Sequence, residues 1–314
     1  MTQQRTAKDY LYLFVTGLTM GAADVVPGVS GGTMAFIMGV YQELIDAIKS
    51  FDLEVVKLLL RFRLKEVFER VPWRFLVALG AGVLSAIVTL AGLISWLLEN
   101  QPIYLYAFFF GLVLASIVAI GVHIQWSPGA VAALLAGTFL AYWIVGLVPL
   151  QAPHDPWIIF LSASVAIMAM ILPGISGSFI LLILGQYAYV LNAVKSLDVI
   201  TLLPFVFGIV FGITSFARVL SWLLQNYHQI TITLLVGFMI GSLRKIWPFK
   251  ETLETRVDRH GEVVPILERN ILPDFATAMP WIALGLCVAG FLAIRFLDSL
   301  RGQKSPFLQT ADEG

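Results

Sequence analysis

Apolar runs fill most of the chain, near residues 10–24, 33–48, 73–98, 102–123, 128–150, 156–172, 178–194, 199–224, 229–248 and 275–297. A helix needs about 20 apolar residues to cross the hydrocarbon core of a bilayer. The runs at 73–98, 102–123, 128–150, 199–224, 229–248 and 275–297 reach that length and predict spans. The pairs 10–24 with 33–48 and 156–172 with 178–194 are shorter, and each pair breaks at a Pro-Gly dipeptide. Such pairs predict re-entrant helical hairpins, whose interrupted backbone is tolerated where it faces protein or water. Two tilted full spans per pair are the alternative. The fold class expected is an all-α polytopic membrane protein.

An internal repeat organises these runs. With Pro27 placed on Pro173, PGVSGGTMAFIMGVYQELIDAIKSFD faces PGISGSFILLILGQYAYVLNAVKSLD, and 11 of these 26 positions are identical. The match continues upstream through Asp9/Asp155 and Phe14/Phe160. Downstream the offset shortens from 146 to 126, so that Ser95-Trp96-Leu97-Leu98 meets Ser221-Trp222-Leu223-Leu224 and Gly111 meets Gly237. The shift corresponds to 20 extra residues in the first half, around 53–72. The expected domains are therefore 1–150 with that insert and 151–314 with a charged loop at 249–273. A hairpin never changes sides, and three further spans separate the two halves, so the halves are expected to be inverted. Inverted repeats with interrupted helices meeting near the midplane are a common transporter plan.

The insert carries Lys57, Arg61 and Lys65 at a spacing of four with leucines and Phe62 between them. It predicts an amphipathic helix on the anionic cytoplasmic leaflet. Arg5 and Lys8 place the N-terminus on the same side, which puts the 249–273 loop outside. Within that loop Val257 to Val264, around His260-Gly261, predict a small hairpin. The N-terminal run imitates a signal peptide, but its internal counterpart makes it part of the mature fold.

Composition agrees. The chain is 59% hydrophobic and 13% charged, where soluble domains carry about 25% charged residues. Such a chain cannot cover its surface with charge, so lipid is its main solvent. Net charge is zero, which gives no reason to expect nucleic acid as a partner. Cys287 is the only cysteine and the four histidines are scattered, so neither a metal nor a cofactor is expected.

Candidate chemistry lies in Pro27-Gly28-Val29-Ser30-Gly31-Gly32-Thr33 and Pro173-Gly174-Ile175-Ser176-Gly177-Ser178. Proline suits a first helical turn, glycine admits close approach, and Ser or Thr caps the helix that follows. Free N–H groups at such a helix tip favour an anion. Gly28, Ser30, Gly31, Gly32, Thr33, Gly174, Ser176, Gly177 and Ser178 are thus candidate substrate-binding residues. Two tips supply roughly one positive charge, and a phosphate monoester carries about −1.5 to −2. Arg218, inside the 199–224 run, is the candidate cation that completes the balance, since an arginine within a span usually faces a cavity or partner. Snorkelling to the interface is its bland reading. Asp24, whose repeat mate is Met170, and Glu43, whose mate is Tyr189, are candidate sites for a coupling proton or sodium ion, with Asp46 behind them. Capping and surface exposure are the alternatives. For the glycines the alternative is close helix packing; Gly17, Gly21, Gly82 and Gly111 suit packing within one chain or in a homodimer.

At GAADVVPGVSGGTMAFIMGVYQELI (21–45) and MILPGISGSFILLILGQYAYVL (170–191) the sequence resembles a bacterial membrane family once known only as a domain of unknown function and now associated with translocation of undecaprenyl phosphate. The resemblance spans both halves, including the Phe216-Ala217-Arg218 region. It implies a polyprenyl-phosphate lipid as substrate and the bacterial cytoplasmic membrane as location. It also implies a flippase returning the carrier to the inner leaflet, the head passing through a central polar site while the tail stays in lipid. Rocking of one half against the other would alternate access. Two rivals remain. Undecaprenyl-pyrophosphate phosphatases have a similar Pro-Gly-x-Ser motif, but theirs continues with Arg-Ser where this chain has Gly31-Gly32 and Gly177-Ser178, and Glu43 lacks the second glutamate of such an enzyme. A transporter of small soluble anions would use the same helix tips and Arg218.

Overall fold

The computed structural model describes residues 5–147, 152–257 and 263–300, most of them helical. Thr6 and Asp9 form a capping box that starts α1 (Ala7–Val25). The chain then turns at Val26-Pro27-Gly28-Val29: the Val29 N–H reaches Val26 O at 3.1 Å and Gly28 has φ +88°. This is the arrangement of a type II turn, with proline first and glycine in the positive-φ place. Helix α2 (Gly31–Ile37) follows, and then α3 (Tyr41–Lys49). In the second half α9 (Pro156–Ile171), α10 (Gly177–Ile183) and α11 (Tyr187–Ser196) repeat this order. The turn at Leu172-Pro173-Gly174-Ile175 repeats too, with Gly174 at φ +90°. Proline is therefore in the turn, three residues ahead of each N-cap, and not in the first helical turn as the sequence suggested.

A second interruption accompanies each motif. Gly39 and Gly185 have φ of +61° and +70°. The Val40 N–H bonds Ala35 O and the Gly39 N–H bonds Phe36 O, and Gln186 to Leu181 and Gly185 to Leu182 do the same. These are Schellman caps with glycine in the left-handed position. They split the expected 33–48 and 178–194 helices in two, and α10 and α11 meet at 109°.

The insert forms two short helices instead of one, α4 (Leu53–Leu60) and α5 (Leu64–Arg70), broken where Phe62 takes φ +55°. Asp52 caps α4 and accepts from Arg70. Backbone amide bonds and Arg70 together hold its carboxyl below the usual range. Beyond it run α6 (Trp73–Asn100), α7 (Pro102–Gly121) and α8 (Pro128–Ile144); their counterparts are α12 (Val199–Asn226), α13 (His228–Ser242) and α14 (Met279–Leu300). The 249–273 loop holds an antiparallel hairpin, β1 (Lys250–Val257) with β2 (Val263–Asn270), longer than expected; His260 and Gly261 lie outside the described residues.

Among the described residues α6, α7, α12 and the Met279–Phe296 part of α14 are long and apolar enough to cross a membrane, and the bent α10–α11 pair makes a fifth if taken as one span. The protein is a multi-pass membrane protein. Helices α8 and α13 are shorter than the sequence suggested, at 17 and 15 residues, or about 26 and 22 Å.

Glycines set the helix pairing, and the same contacts recur in both halves. A Cβ on Gly82 of α6 would lie 2.1 Å from Phe14 O of α1, and one on Gly208 of α12 would lie 2.3 Å from Phe160 O of α9. Likewise a Cβ on Gly111 of α7 would lie 1.8 Å from Cys287 O of α14, and one on Gly237 of α13 would lie 2.4 Å from Leu134 O of α8. Helices α8 and α14 thus each pack on the other half of the chain, so the halves interlock.

Gly111→Ala is expected to part α7 from α14 and destabilise the protein by about 1–3 kcal/mol, read as a lowered melting temperature in detergent. Gly92→Ala, where a Cβ meets nothing within 4 Å, should leave it unchanged or slightly raised.

Candidate functional site

The two Pro-Gly turns meet directly. Ser30 is the N-cap of α2: its hydroxyl accepts from the Gly32 N–H at 3.1 Å and donates to Met170 O at 3.2 Å. The Gly174 N–H donates to Thr33 Oγ1 at 2.8 Å, and the buried Tyr41 hydroxyl donates to Ile171 O at 3.0 Å. The groups that the second interruption leaves without intrahelical partners are thus partly satisfied by side chains of the first half, while the first interruption is served within its own half by Asp24 and Tyr106. Ser30, Gly31, Thr33, Gly174, Ser176 and Gly177 are buried, while Ser178 is exposed.

The α2 tip already holds an anion. Asp24 Oδ1 accepts from the Gly31 N–H at 2.7 Å, and a Cβ on Gly31 would lie 2.5 Å from Asp24 Oδ2 and displace the carboxylate. The N–H groups of Gly31, Gly32 and Thr33 are all engaged within the chain, contrary to the expectation of free donors. The α10 tip differs: Ser176 makes no side-chain cap and pairs with Ser178 Oγ at 2.8 Å. Met170 stands where the first half has Asp24. Space is also short. A Cβ on Gly32 would lie 2.8 Å from Ile171 O, and one on Gly177 2.8 Å from Ala166 O. A junction that rejects a methyl group admits no phosphate without moving.

The remaining candidates lie apart from this junction. Glu43 is ion-paired with Arg5, whose guanidinium lies over Phe75. Asp46 Oδ1 accepts from Ser221 Oγ at 3.0 Å, and Lys49 and Gln225 each donate to the same hydroxyl at 3.1 Å. Arg218 is exposed on α12, one turn before Ser221, with no hydrogen bond or ion pair to another described residue. Asp24 and Glu43 bond Gly31 and Arg5 instead of Arg218.

Sequence reasoning missed the cations that do reach the junction. Lys245 packs on Gly28, where a Cβ would lie 2.7 Å from Lys245 Cγ. Its Nζ is 4.8 Å from the centre of the Phe179 ring on α10. Lys250 Nζ is 4.9 Å from the Tyr106 ring, and the Tyr106 hydroxyl donates to Pro27 O at 3.3 Å. A signal existed: Lys245 ends an apolar run where its repeat mate is Ala119.

A family profile described as undecaprenyl phosphate translocase-like matches residues 20–264. The chain belongs to that family. It is 47% identical to a polyprenyl-phosphate transporter of Vibrio cholerae serotype O1, covering 92% of this chain and 96% of that protein. It is 28% identical to a polyprenyl-phosphate transporter of Staphylococcus aureus, over 74% of this chain and 84% of that protein. No solved structure matches it. The span shared with the translocase-like family takes in both turns, Asp24, Arg218, Lys245 and Lys250.

In this translocase-like chain the Thr33–Gly174 bond is the most direct test of the junction. Thr33→Val keeps the shape but leaves the buried Gly174 N–H without an acceptor, a loss of about 1–3 kcal/mol. Thr33→Ser should restore most of it, as measured by thermal unfolding of the purified protein.

Proposed function

We propose that this protein is a transporter that carries polyprenyl phosphate across the bacterial cytoplasmic membrane, returning the carrier from the outer to the inner leaflet. The observation that carries the reading is the hydrogen-bonded meeting of two Pro-Gly-x-Ser-Gly turns inside an apolar helical bundle, in a chain whose relatives are named for transport of this lipid. In this reading the two halves are inverted, the short-helix pairs are re-entrant, and the N-terminus is cytoplasmic. The recurrence of the glycine–carbonyl contacts at matched positions supports the repeat. The packed junction is an occluded arrangement, and the phosphate head passes when the turns at Gly28 and Gly174 separate while the isoprenoid tail stays in lipid. Because α8 and α14 cross-pack, the halves do not rock as two blocks; the moving parts are the hairpins α2–α3 and α10–α11 against the interlocked spans.

Asp24 is the coupling candidate. It occupies the helix tip that a phosphate would otherwise use, and two anions repel at that distance. Release of Asp24 from the Gly31 amide, by protonation or by an ion, would free the tip. Glu43, held by Arg5, is a weaker candidate. Arg218 remains a candidate to meet the head group, a reading supported by its exposure and by its having no partner among the described residues. The phosphatase reading is less well supported: the Ser30 hydroxyl donates to a carbonyl, and a nucleophile needs a base to accept that proton.

A leaflet-translocation assay with labelled polyprenyl phosphate in proteoliposomes tests this. The wild type should move the lipid well above protein-free vesicles, Arg218→Ala about tenfold more slowly, and Asp24→Asn without dependence on a pH or sodium gradient. Rates equal to empty vesicles would refute transport, and phosphate release from the pyrophosphorylated lipid would restore the enzyme.

A further inference from the structure

Lys245 and Lys250 share a single counter-ion. Their Nζ atoms lie 3.4 and 3.3 Å from the same oxygen, Oε2 of Glu268, and the three side chains are 22%, 11% and 27% exposed. Two ammonium groups and one carboxylate leave a surplus of one positive charge in a half-buried place. The effect on each group is consistent. Burial first, and then the charge of Lys245, draws the Lys250 ammonium below its ordinary value. Burial pushes the Glu268 carboxyl up, yet the two lysines outweigh it and hold the group low. A second anion placed here would relieve the repulsion between the lysines.

A purely structural clamp does not require this arrangement. One lysine on Glu268 would tie β2 to the bundle; the second brings a like charge. The repeat does not require it either, since the mate of Lys245 is Ala119 and Lys250 lies in the 249–273 loop, which has no counterpart in the first half. Position points the same way. Lys245 touches the turn of one half through Gly28 and the tip helix of the other through Phe179. Lys250 reaches Pro27 through Tyr106. Pro27 is exposed whereas Ser30 and Thr33 are buried, so this edge of the junction is reachable while its centre is packed. Aromatic surface lies alongside, with Phe110 and Trp247 edge to face at 5.5 Å.

We propose that Lys245 and Lys250, poised by Glu268 beside Gly28 and Phe179, form the entry site for the phosphate monoester head of an isoprenoid lipid, ahead of the packed junction. The inference rests on the transporter reading and gives it a first binding step. The head docks as a second anion between the two ammonium groups, whose six N–H donors suit its oxygens, and the first isoprene units lie on the aromatic rings. Glu268 keeps the lysines together when the site is empty and competes with the phosphate, which keeps the lipid from being held too tightly to move on.

Equilibrium binding to the purified full-length protein in nanodiscs, with farnesyl phosphate, farnesol and inorganic phosphate as probes, separates the possibilities. Lys245→Gln and Lys250→Gln should each weaken farnesyl phosphate about tenfold, as expected for loss of one charge-assisted contact, and leave farnesol unchanged. Lys250→Arg should bind nearly as the wild type does, and Glu268→Gln more tightly, with melting temperatures showing that each variant folds. Wild-type affinity in both glutamine variants, or weaker binding in Glu268→Gln, would overturn the entry site while leaving transport by another route intact. Equal, lysine-dependent binding of inorganic and farnesyl phosphate would keep the anion site and refute its lipid specificity. Binding of neither phosphate by the wild type would overturn the site outright.

Discussion

Broken backbone inside a bilayer must find hydrogen-bond partners within the protein, because lipid offers none. This constraint explains the centre of the molecule. Each half stops a helix at a Pro-Gly turn and restarts it at a buried serine, leaving amides and carbonyls that the helices themselves do not use. The first half supplies part of what the second is missing: Thr33 takes the Gly174 amide, Ser30 caps the Ile171 end through Met170 O, and Tyr41 holds Ile171 O. The first interruption is met from its own half, by Asp24 on the Gly31 amide and Tyr106 on Pro27 O, so the dependence between the turns runs one way. A movement that separates them must offer those groups something else to bond; water can serve all of them, and a phosphate head only the amide and hydroxyl donors.

The scaffold is close to symmetric, and its function lies in the departures from symmetry. Asp24 fills one helix tip and Met170 leaves the other to Ser176 and Ser178. Where α3 is tied to the chain start by the Glu43–Arg5 ion pair, α11 carries Tyr189 stacked 4.0 Å from His154. Where the second half has Lys245, the first has Ala119, which lines a largely apolar cavity with Tyr12, Met38 and Ile294. A symmetric pair of faces would bind a lipid head equally well on both sides. These substitutions make the two faces chemically different, with an acid and a lysine at positions whose repeat mates lack them.

Much of this was legible in the sequence, for stated physical reasons. Long apolar runs report spans because hydrophobic length must match the bilayer, and α6, α7, α12 and α14 follow it. The repeat was legible because matched Gly, Ser and Lys are improbable between unrelated apolar segments. The Schellman breaks fall at Gly39 and Gly185, matched positions of the repeat, yet the apolar pattern did not place them, since an apolar run hides where a helix bends. Arg218 shows the main limit. In a uniformly apolar helix nothing marks which side faces inward, and Arg218 is exposed beside Ala217, which is fully buried. Lys245, Lys250 and Glu268 come together through a hairpin whose pairing the sequence offered only in outline. The short α8 and α13 were over-read because apolar composition continues past their last helical turns.

In the transport cycle proposed above, the charge at the junction would decide which step follows which. A phosphate head of about −1.5 to −2 is opposed by Asp24 at the α2 tip and attracted by Lys245 and Lys250 just outside it. While Asp24 keeps its bond to Gly31, the lysine pair is the more favourable place for the head, and the packed turns keep it there. Once Asp24 leaves, the α2 tip gains about half a positive charge with no anion on it, and it lies next to Gly28, against which Lys245 already packs. The head then has a continuous path from ammonium to helix tip, along which no step leaves it without a cationic partner. Entry and passage are thereby separated by the state of one carboxylate, so that the lipid can be captured before the way through exists.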